Sequence, residues 1–467
     1  MTDSLPPTPG HSSHCGLAGR AIVVGFAAAV AVWSAWFITH LPWIGMAEST
    51  SIPLLLGVWV IATAAAIGWV GDPRRVPIGL LSGVVGGLVG LLILGSKIVP
   101  DATPEGPVGT PGNSALPPVW LIVPGFVALG ALLGLVGGFV SALLPRERAG
   151  SDSLSRFGIV VSVGIVPLLV VGGLVTSTDS GMAVPDWPNT YGSNMFLYPL
   201  GPRSDAATYL EHSHRLFGSL IGLMTVVLAA WVWIVDRRRW VCVLAGVALA
   251  LVIVQGVIGG GRVLMGSTDA ASDNRAMAML HGVLAQVVFG VIVALAAALS
   301  PLFKSALRVP PNRAHRRFKA FATGFTHALI LQLVFGAMYR HMRSGHALWT
   351  HAGFSLVIVL LALLAGFAAM ALTRPAEEGQ PAPLGNEPGA IDLACTLGRI
   401  GWGMVIVVGL QFALGWAAFF VGGEHRTAAS PLEALIRTAH QANGAALVAL
   451  AALGFVWSRW ILRRATA

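Results

Sequence analysis

The chain has 467 residues, of which 55% are hydrophobic and only 10% are charged. A composition this apolar excludes an ordinary soluble protein and indicates an integral membrane protein. The formal net charge of +9 is spread over short segments between long apolar runs, so a nucleic-acid-binding protein is excluded as well.

Runs of apolar residues recur along the whole chain, and each has the roughly 20 residues that a helix needs to cross about 30 Å of hydrocarbon. We therefore predict an all-α polytopic membrane protein with about twelve transmembrane helices. In chain order, the predicted spans are 17–39, 52–71, 76–97, 118–144, 157–177, 211–235, 240–262, 276–301, 320–340, 347–373, 399–421 and 435–461.

These spans fall into three groups. Residues 1–150 form an N-terminal extension of about four spans, whose pattern assigns it no role beyond stabilising the rest; binding of a partner enzyme is the alternative. Residues 151–305 and 306–467 hold four spans each and share a repeated pattern, described below. We predict that these eight helices form two pseudo-symmetric four-helix bundles.

The basic residues predict the orientation of the chain. With the N-terminus in the cytosol, 20 of the 29 Lys and Arg residues fall in cytosolic segments, as the positive-inside rule requires. Residues 1–16 contain no Lys or Arg, so they do not resemble a mitochondrial transit peptide. We predict a multi-pass protein of the bacterial cytoplasmic membrane with both termini in the cytosol.

Four histidines share a position near the start of a span. His214 lies in the first turn of its predicted span, and His281, His351 and His440 lie about five residues inside theirs. All four spans run inward from the outer face, so the four imidazoles are expected at a similar depth near that face. Polar groups are costly inside a membrane, and four at one depth indicate a functional site.

A second pattern marks the span before each of these histidines. Gln255–Gly259, Gln332–Gly336 and Gln411–Gly415 share the motif Gln-x3-Gly near the outer ends of three spans. Gly172 stands at the corresponding place before His214, without the glutamine. The pattern indicates a duplicated four-helix unit with two histidines in each copy.

Two neutral imidazoles that face each other across a four-helix bundle are what a heme iron with two axial ligands needs. Zinc is the competing metal, but a zinc site normally recruits cysteine or carboxylate as well. Glu211 is the only carboxylate close to any of the four histidines. The four histidines are therefore predicted to bind iron in two hemes.

Glu211 and His214 are three residues apart, so they share one face of a helix. A shielded carboxylate there could accept protons; the alternative is an acid that interacts with the helix N-terminus and pairs with Arg215. Arg215, together with Arg340 and Arg343 above the second bundle, is predicted to hold heme propionates. An interfacial position at the membrane surface is the alternative for these arginines.

The segment "GGLVTSTDSGMAVPDWPNTYG", followed by "EHSHR", "MLHG", "QLVFGAMYRHM" and "AHQANG", resembles the heme A synthase family of membrane enzymes. The resemblance covers about 156–462. It implies an oxidoreductase that converts heme O to heme A by oxidising the porphyrin C8 methyl group to a formyl group, through successive hydroxylations.

The resemblance also implies a role for each site residue. His351 and His440 match the ligands of heme b, the cofactor in the second bundle. His214 and His281 match the substrate heme site of the first bundle, and Glu211 matches a glutamate implicated in the chemistry. The implied partners are heme O, the lipid bilayer, and the heme O-forming farnesyltransferase or a terminal oxidase; a homo-oligomer is left open.

The chain departs from the family in the first outer loop. Many bacterial members carry a cysteine pair around the Pro-Asp-Trp-Pro segment, where this chain has Val184 and, approximately, Thr190. No thiol-based step is therefore expected. The long loop 178–210 is predicted to cover the first heme site, whereas its counterpart 341–346 is short.

Two other function classes fit part of the pattern. A bis-histidine membrane cytochrome that passes electrons, for example from quinol, would explain the histidines but needs neither Glu211 nor the Pro-Asp-Trp-Pro loop. A transporter with histidines along a proton path would have polar groups at mid-membrane. In this chain the polar groups crowd the outer rim, which favours the enzyme.

Overall fold

A computed structural model describes residues 12–98, 119–145, 152–198, 200, 205–266, 271–305, 312–342, 344–374, 384, 389–422, 427–428 and 430–464. Within this part of the chain the regular secondary structure is helical. Twelve of the helices are long and apolar enough to span a membrane, which confirms the predicted polytopic all-α fold. The chain divides into two compact units, Met1–Val160 with Phe196–Arg203, and Val161–Met195 with Ser204–Ala467.

The first unit contains four long helices and the start of a fifth. They are α1 (Ser12–Thr39), α2 (Glu48–Val70), α3 (Arg75–Ile98), α4 (Val119–Val140) and α5 (Ser153–Ser177), the last of which continues into the second unit. Helices α3 and α4 approach closely through glycines, since a Cβ atom on Gly83 would collide with the backbone of Gly130. Small residues of this kind allow membrane helices to pack backbone to backbone.

The second unit holds the rest of α5 and eight further helices. They are α6 (Ala206–Val235), α7 (Arg239–Leu264), α8 (Ala271–Leu299), the short α9 (Pro301–Lys304), α10 (Arg313–Met342), α11 (Gly345–Ala371), α12 (Ala390–Gly422) and α13 (Pro431–Arg464). Helices α10 to α13 close into a four-helix bundle around buried side chains such as Phe318, Phe325 and Met404. Helices α6, α7 and α8 pack in sequence, and α8 also packs against α10 and α13.

Helices α6, α11 and α13 begin earlier than the apolar runs predict because polar residues cap them. The Asp205 carboxylate accepts hydrogen bonds from the backbone N–H groups of Ala207 and Thr208 at the start of α6. Ser344 and Ser430 act in the same way for α11 and α13. The caps satisfy N–H groups that a helix end would leave unpaired, so the polar residues of the predicted site lie inside regular helix.

Candidate functional site

The four predicted histidine ligands form two pairs in the second unit. The ring centroids of His214 and His281 are 6.2 Å apart, and those of His351 and His440 are 6.3 Å apart. Each histidine lies within about the first three turns of its helix. Two imidazoles that bind one metal ion from opposite sides, each about 2 Å from it, bring their centroids about 6 Å apart. Both pairs therefore have the spacing of opposed ligands to a single ion.

A glycine on the preceding helix faces each of these imidazoles. A Cβ atom added to that glycine would lie only 2.9–3.2 Å from the ring, closer than ordinary van der Waals contact. The four pairs are Gly172–His214, Gly259–His281, Gly336–His351 and Gly415–His440. The glycine of the repeated sequence motif thus makes room for an imidazole, four times over.

The glutamine of the same motif joins the two helices of a pair. Gln255 Nε2 donates a hydrogen bond to the backbone carbonyl of His281 at 2.7 Å. Gln332 Nε2 donates in the same way to the carbonyl of His351 at 2.9 Å. These bonds fix how far along the helix axis the histidine lies relative to the glycine on the neighbouring helix.

The two pairs differ in how their rings are held. His351 Nδ1 lies 3.1 Å from the Gln332 backbone oxygen, so its N–H donates there and Nε2 is left for a ligand. The Gln411 side-chain amide nitrogen lies 3.2 Å from Nδ1 and 3.3 Å from Nε2 of His440. In the first pair, Nδ1 of His281 is buried and makes no hydrogen bond of standard geometry among the described residues, although the ring interacts with the Gln255 backbone.

The donor set fits heme better than zinc. Among the residues that the structure describes, no group of three or more His, Cys, Asp or Glu could hold a metal ion. A structural zinc ion takes four protein ligands, whereas a heme iron needs only two because the porphyrin supplies the other four. Opposed imidazole pairs backed by glycine therefore fit a heme.

The Glu211 carboxylate is buried, with 4% of the residue exposed, and both of its oxygens are engaged. Oε1 accepts a hydrogen bond from Arg215 Nη2 at 2.7 Å, and Oε2 accepts one from the backbone N–H of Val184 at 2.8 Å. Val184 belongs to the loop between α5 and α6, which we call the α5–α6 loop. Glu211 thus connects this loop to the helix that carries His214.

Arg215 holds the same loop. Its guanidinium donates to the backbone oxygens of Asp186 at 2.7 Å, Asn189 at 2.9 Å and Val184 at 3.1 Å. With the Glu211 ion pair, these bonds occupy most of the donors on the side chain. Arg215 therefore anchors the α5–α6 loop in this structure, a role that was not predicted because its partners are backbone atoms far away in sequence.

Arg340 donates to the backbone oxygen of Thr176, at the end of α5. With Arg262 and His341 it lines a cavity of about 20 Å³ where α5, α7 and α10 end. A cavity of this size admits about one water molecule. Arg343, the other arginine predicted above the second bundle, lies outside the described residues.

Comparison with known proteins finds one family model that matches part of the chain. Residues 155–378 match the family model COX15-CtaA, described as cytochrome oxidase assembly protein. The matched segment includes Glu211, His214, His281 and His351, and it ends before His440.

Proteins similar to this chain include three that carry the name heme A synthase. The one from Halalkalibacterium halodurans is 37% identical over 120 residues, which cover 25% of this chain and 39% of the relative. The proteins from an Exiguobacterium species and from Alkalihalophilus pseudofirmus are 30% and 28% identical, over 42% and 40% of this chain and 60% of each relative. The chain thus spans between 39% and 60% of the length of these relatives. No solved structure matches the chain.

Proposed function

We propose that this chain, whose residues 155–378 match the family model described as cytochrome oxidase assembly protein, is a heme A synthase. The proposed reaction oxidises the C8 methyl group of heme O to a formyl group, by successive hydroxylations through an alcohol. The observation that carries the proposal is two opposed imidazole pairs, of which only the first has a buried carboxylate, Glu211, three residues before a histidine.

We assign the second pair, His351 and His440, to heme b as the resident cofactor. Hydrogen bonds or amide contacts from neighbouring residues hold both rings, as is usual for a permanently bound metal. When bound, heme b supplies one-electron redox chemistry. The first pair, His214 and His281, is assigned to the substrate heme O, because the buried carboxylate of Glu211 lies three residues before His214 and has no equivalent in the second pair.

In this proposal each hydroxylation replaces a C–H bond of the methyl group with a C–O bond, with water as the oxygen source and an external acceptor that takes the two electrons. Glu211 accepts one of the protons that are released. Arg215 balances the charge of the carboxylate and keeps it on the helix face that carries His214. The α5–α6 loop, attached to both side chains, closes over the site and limits the access of water.

We further propose that the chain lies in a bacterial cytoplasmic membrane with both termini in the cytosol. The distribution of Lys and Arg supports this orientation, which puts both imidazole pairs near the outer face. A heme O-forming farnesyltransferase and a terminal oxidase are the proposed partners, since one would deliver the substrate and the other would take up the product.

The test is to express the full chain where heme O is available, extract the hemes and separate them by chromatography. We expect heme A from the wild type and its loss in Glu211→Gln, which keeps the shape of the side chain but not its charge, with the b-type absorption unchanged. Glu433→Gln is the matched control, because Glu433 is also 4% exposed and also pairs with an arginine four residues on, Arg437. A stable b-type spectrum without any modified heme in the wild type would instead identify an electron-carrying cytochrome.

A further inference from the structure

His212 is a buried polar residue that the proposed mechanism leaves unused. None of its surface is exposed, and its Nδ1 lies 3.1 Å from the side-chain hydroxyl oxygen of Thr190, which is fully buried as well. Successive residues of a helix are about 100° apart, so His212 points to a different side of α6 from His214. A buried hydrogen bond of this kind is costly to lose, because each partner would then be left without water or protein to bind.

Thr190 belongs to a closed segment of the α5–α6 loop, Asp186–Ser193. The backbone N–H groups of Thr190 and Ser193 each donate to the carbonyl oxygen of the other residue, at 2.9 and 3.0 Å. Tyr191 and Gly192 between them have φ of 48° and 77°, as in the tight turns that close hairpins. The Asp186 carboxylate accepts from the backbone N–H groups of both, at 2.8 and 2.7 Å. The segment is therefore one hydrogen-bonded unit, and the position of Thr190 sets the position of the whole segment.

The Asp186–Ser193 segment places Trp187 against α7, the helix that carries Gly259. The Trp187 ring lies so close to Gly260 on α7 that a Cβ atom there would overlap it. The preceding residue, Gly259, is the glycine that faces His281. About a third of Trp187, 36%, remains exposed, so part of the indole is available for contact.

We propose that His212 and Thr190 are positioning residues for the substrate heme. Their hydrogen bond sets the place of the Asp186–Ser193 segment on α6, and through it the place of Trp187, whose indole packs against the edge of the bound tetrapyrrole. Flat aromatic rings pack favourably in this way. The inference rests on the proposed function, since it assumes that a heme binds between His214 and His281.

The segment has a second anchor, Arg215, which holds the backbone of Asp186 and Asn189 and also pairs with Glu211. A change at Arg215 would disturb loop and carboxylate together. The bond between His212 and Thr190 offers a cleaner test, because neither of its side chains is hydrogen-bonded to Glu211. Its loss is expected to weaken the binding of heme O and to leave the turnover of bound substrate unchanged.

The experiment compares Thr190→Val, which keeps the shape but loses the hydroxyl, with Thr190→Ser, which keeps the hydroxyl. Heme O is titrated into the full-length purified protein without turnover, and affinity is read from the absorption change; KM and kcat are measured separately. We expect Thr190→Val to weaken affinity and raise KM on the order of tenfold, with kcat and the b-type spectrum unchanged. Thr190→Ser should match the wild type.

His212→Asn and His212→Leu test the other partner. The asparagine amide can take the place of Nδ1, so it should keep the affinity of the wild type, whereas leucine should weaken affinity at least as much as Thr190→Val. The double variant Thr190→Val with His212→Leu should be no weaker than His212→Leu alone, because that change already removes the bond to Thr190 together with the interaction of the ring with the Met195 backbone. Trp187→Leu should weaken heme O binding at least as much.

Equal heme O affinity of Thr190→Val and Thr190→Ser would overturn the inference, and so would a Thr190→Val variant that loses stability but keeps its affinity. Failure of the proposed function is recognised separately, by a wild type that forms no heme A. The heme O titration still tests the inference in that case, because it requires binding alone.

Discussion

The two halves of the second unit present the same pair of imidazoles in different surroundings. Both halves also carry a buried ion pair between a glutamate and an arginine four residues later, Glu211–Arg215 and Glu433–Arg437. In the first half this ion pair flanks the histidine, whereas in the second half it ends before His440. A shift of one helical turn therefore decides whether a carboxylate stands beside a histidine that we propose as a heme ligand. The register of an ion pair, more than its presence, separates the two sites.

The connections between helices differ as well. The α5–α6 loop holds 28 residues between Ser177 and Ala206, whereas only two residues separate Met342 from Gly345 in the second half. The long loop is attached to α6 by side chains one turn or less from His214. A loop fixed so close to His214 can shape the proposed site in the first half, whereas, within the described part of the chain, the histidines of the second half have no such loop beside them.

The largest expected effect is a complete difference between variants of the two histidine pairs. His351→Ala or His440→Ala should abolish the b-type absorption, because an iron held by two protein ligands loses one of them. His214→Ala should keep that absorption and stop the formation of heme A. Absorption spectra and extracted hemes of the three variants check this. The reverse result, with the b-type absorption lost only in His214→Ala, would exchange the assignments.

Alanine at the facing glycines should have the next largest effect. In Gly336→Ala, a methyl group 2.9 Å from His351 Cε1 must displace the ring, so the b-type heme should be bound weakly or lost on purification. Gly259→Ala makes the same clash with His281 and should impair only the binding of heme O. Gly353→Ala is the control, since a Cβ atom there meets nothing within 4 Å. An unaltered b-type heme in Gly336→Ala would contradict the packing argument.

A smaller difference is expected from the glutamines. Gln411→Leu removes the amide beside the His440 ring, and it should shift the b-type absorption or lower heme retention by about tenfold. Gln255→Leu removes a bond to the His281 backbone in the other half, so the b-type spectrum should be unchanged. Retained heme is measured as the ratio of heme to protein. Equal spectra for the two variants would contradict the proposed difference in how the His440 and His281 rings are held.

The smallest effect concerns the helix caps. Partial burial acts to raise the pKa of Asp205, but hydrogen bonds from Thr208 and Ala207 outweigh it and lower the pKa below its ordinary value. The stabilising contribution of the charged cap is therefore present at neutral pH and is lost as the pH falls below about 4. Asp205→Ala should lower the free energy of unfolding by about 1 kcal/mol at pH 7.

Asp205→Asn keeps a capping oxygen and should remove only this pH dependence, as thermal denaturation at several pH values can show. Ser430→Ala is the comparison in the other half. Its cap is uncharged, so the loss of stability should not vary with pH. A pH-dependent loss in Ser430→Ala would assign the effect to another group.

Much of this arrangement was predictable because it depends on local pattern. The spans follow from apolar runs of sufficient length, and the histidine positions follow from helix geometry once the repeats are aligned. The hydrogen bonds of Glu211 to Val184 and of Arg215 to Asp186 were not predictable, because a side chain that is hydrogen-bonded to a distant backbone atom leaves no periodic signal in the sequence. The starts of α6 and α13 were placed too late, since Asp205 and Ser430 extend the helices beyond the apolar segment.

The glycine opposite each imidazole also bears on how such a protein can arise. A new histidine on one helix would clash with its neighbour unless that helix has a glycine at the facing position. Two positions that are distant in sequence must therefore both change. A hairpin that carries the glycine on its first helix and the histidine on its second contains both changes. Copying that hairpin supplies a fitted ligand in a single step, and four copies supply two opposed pairs.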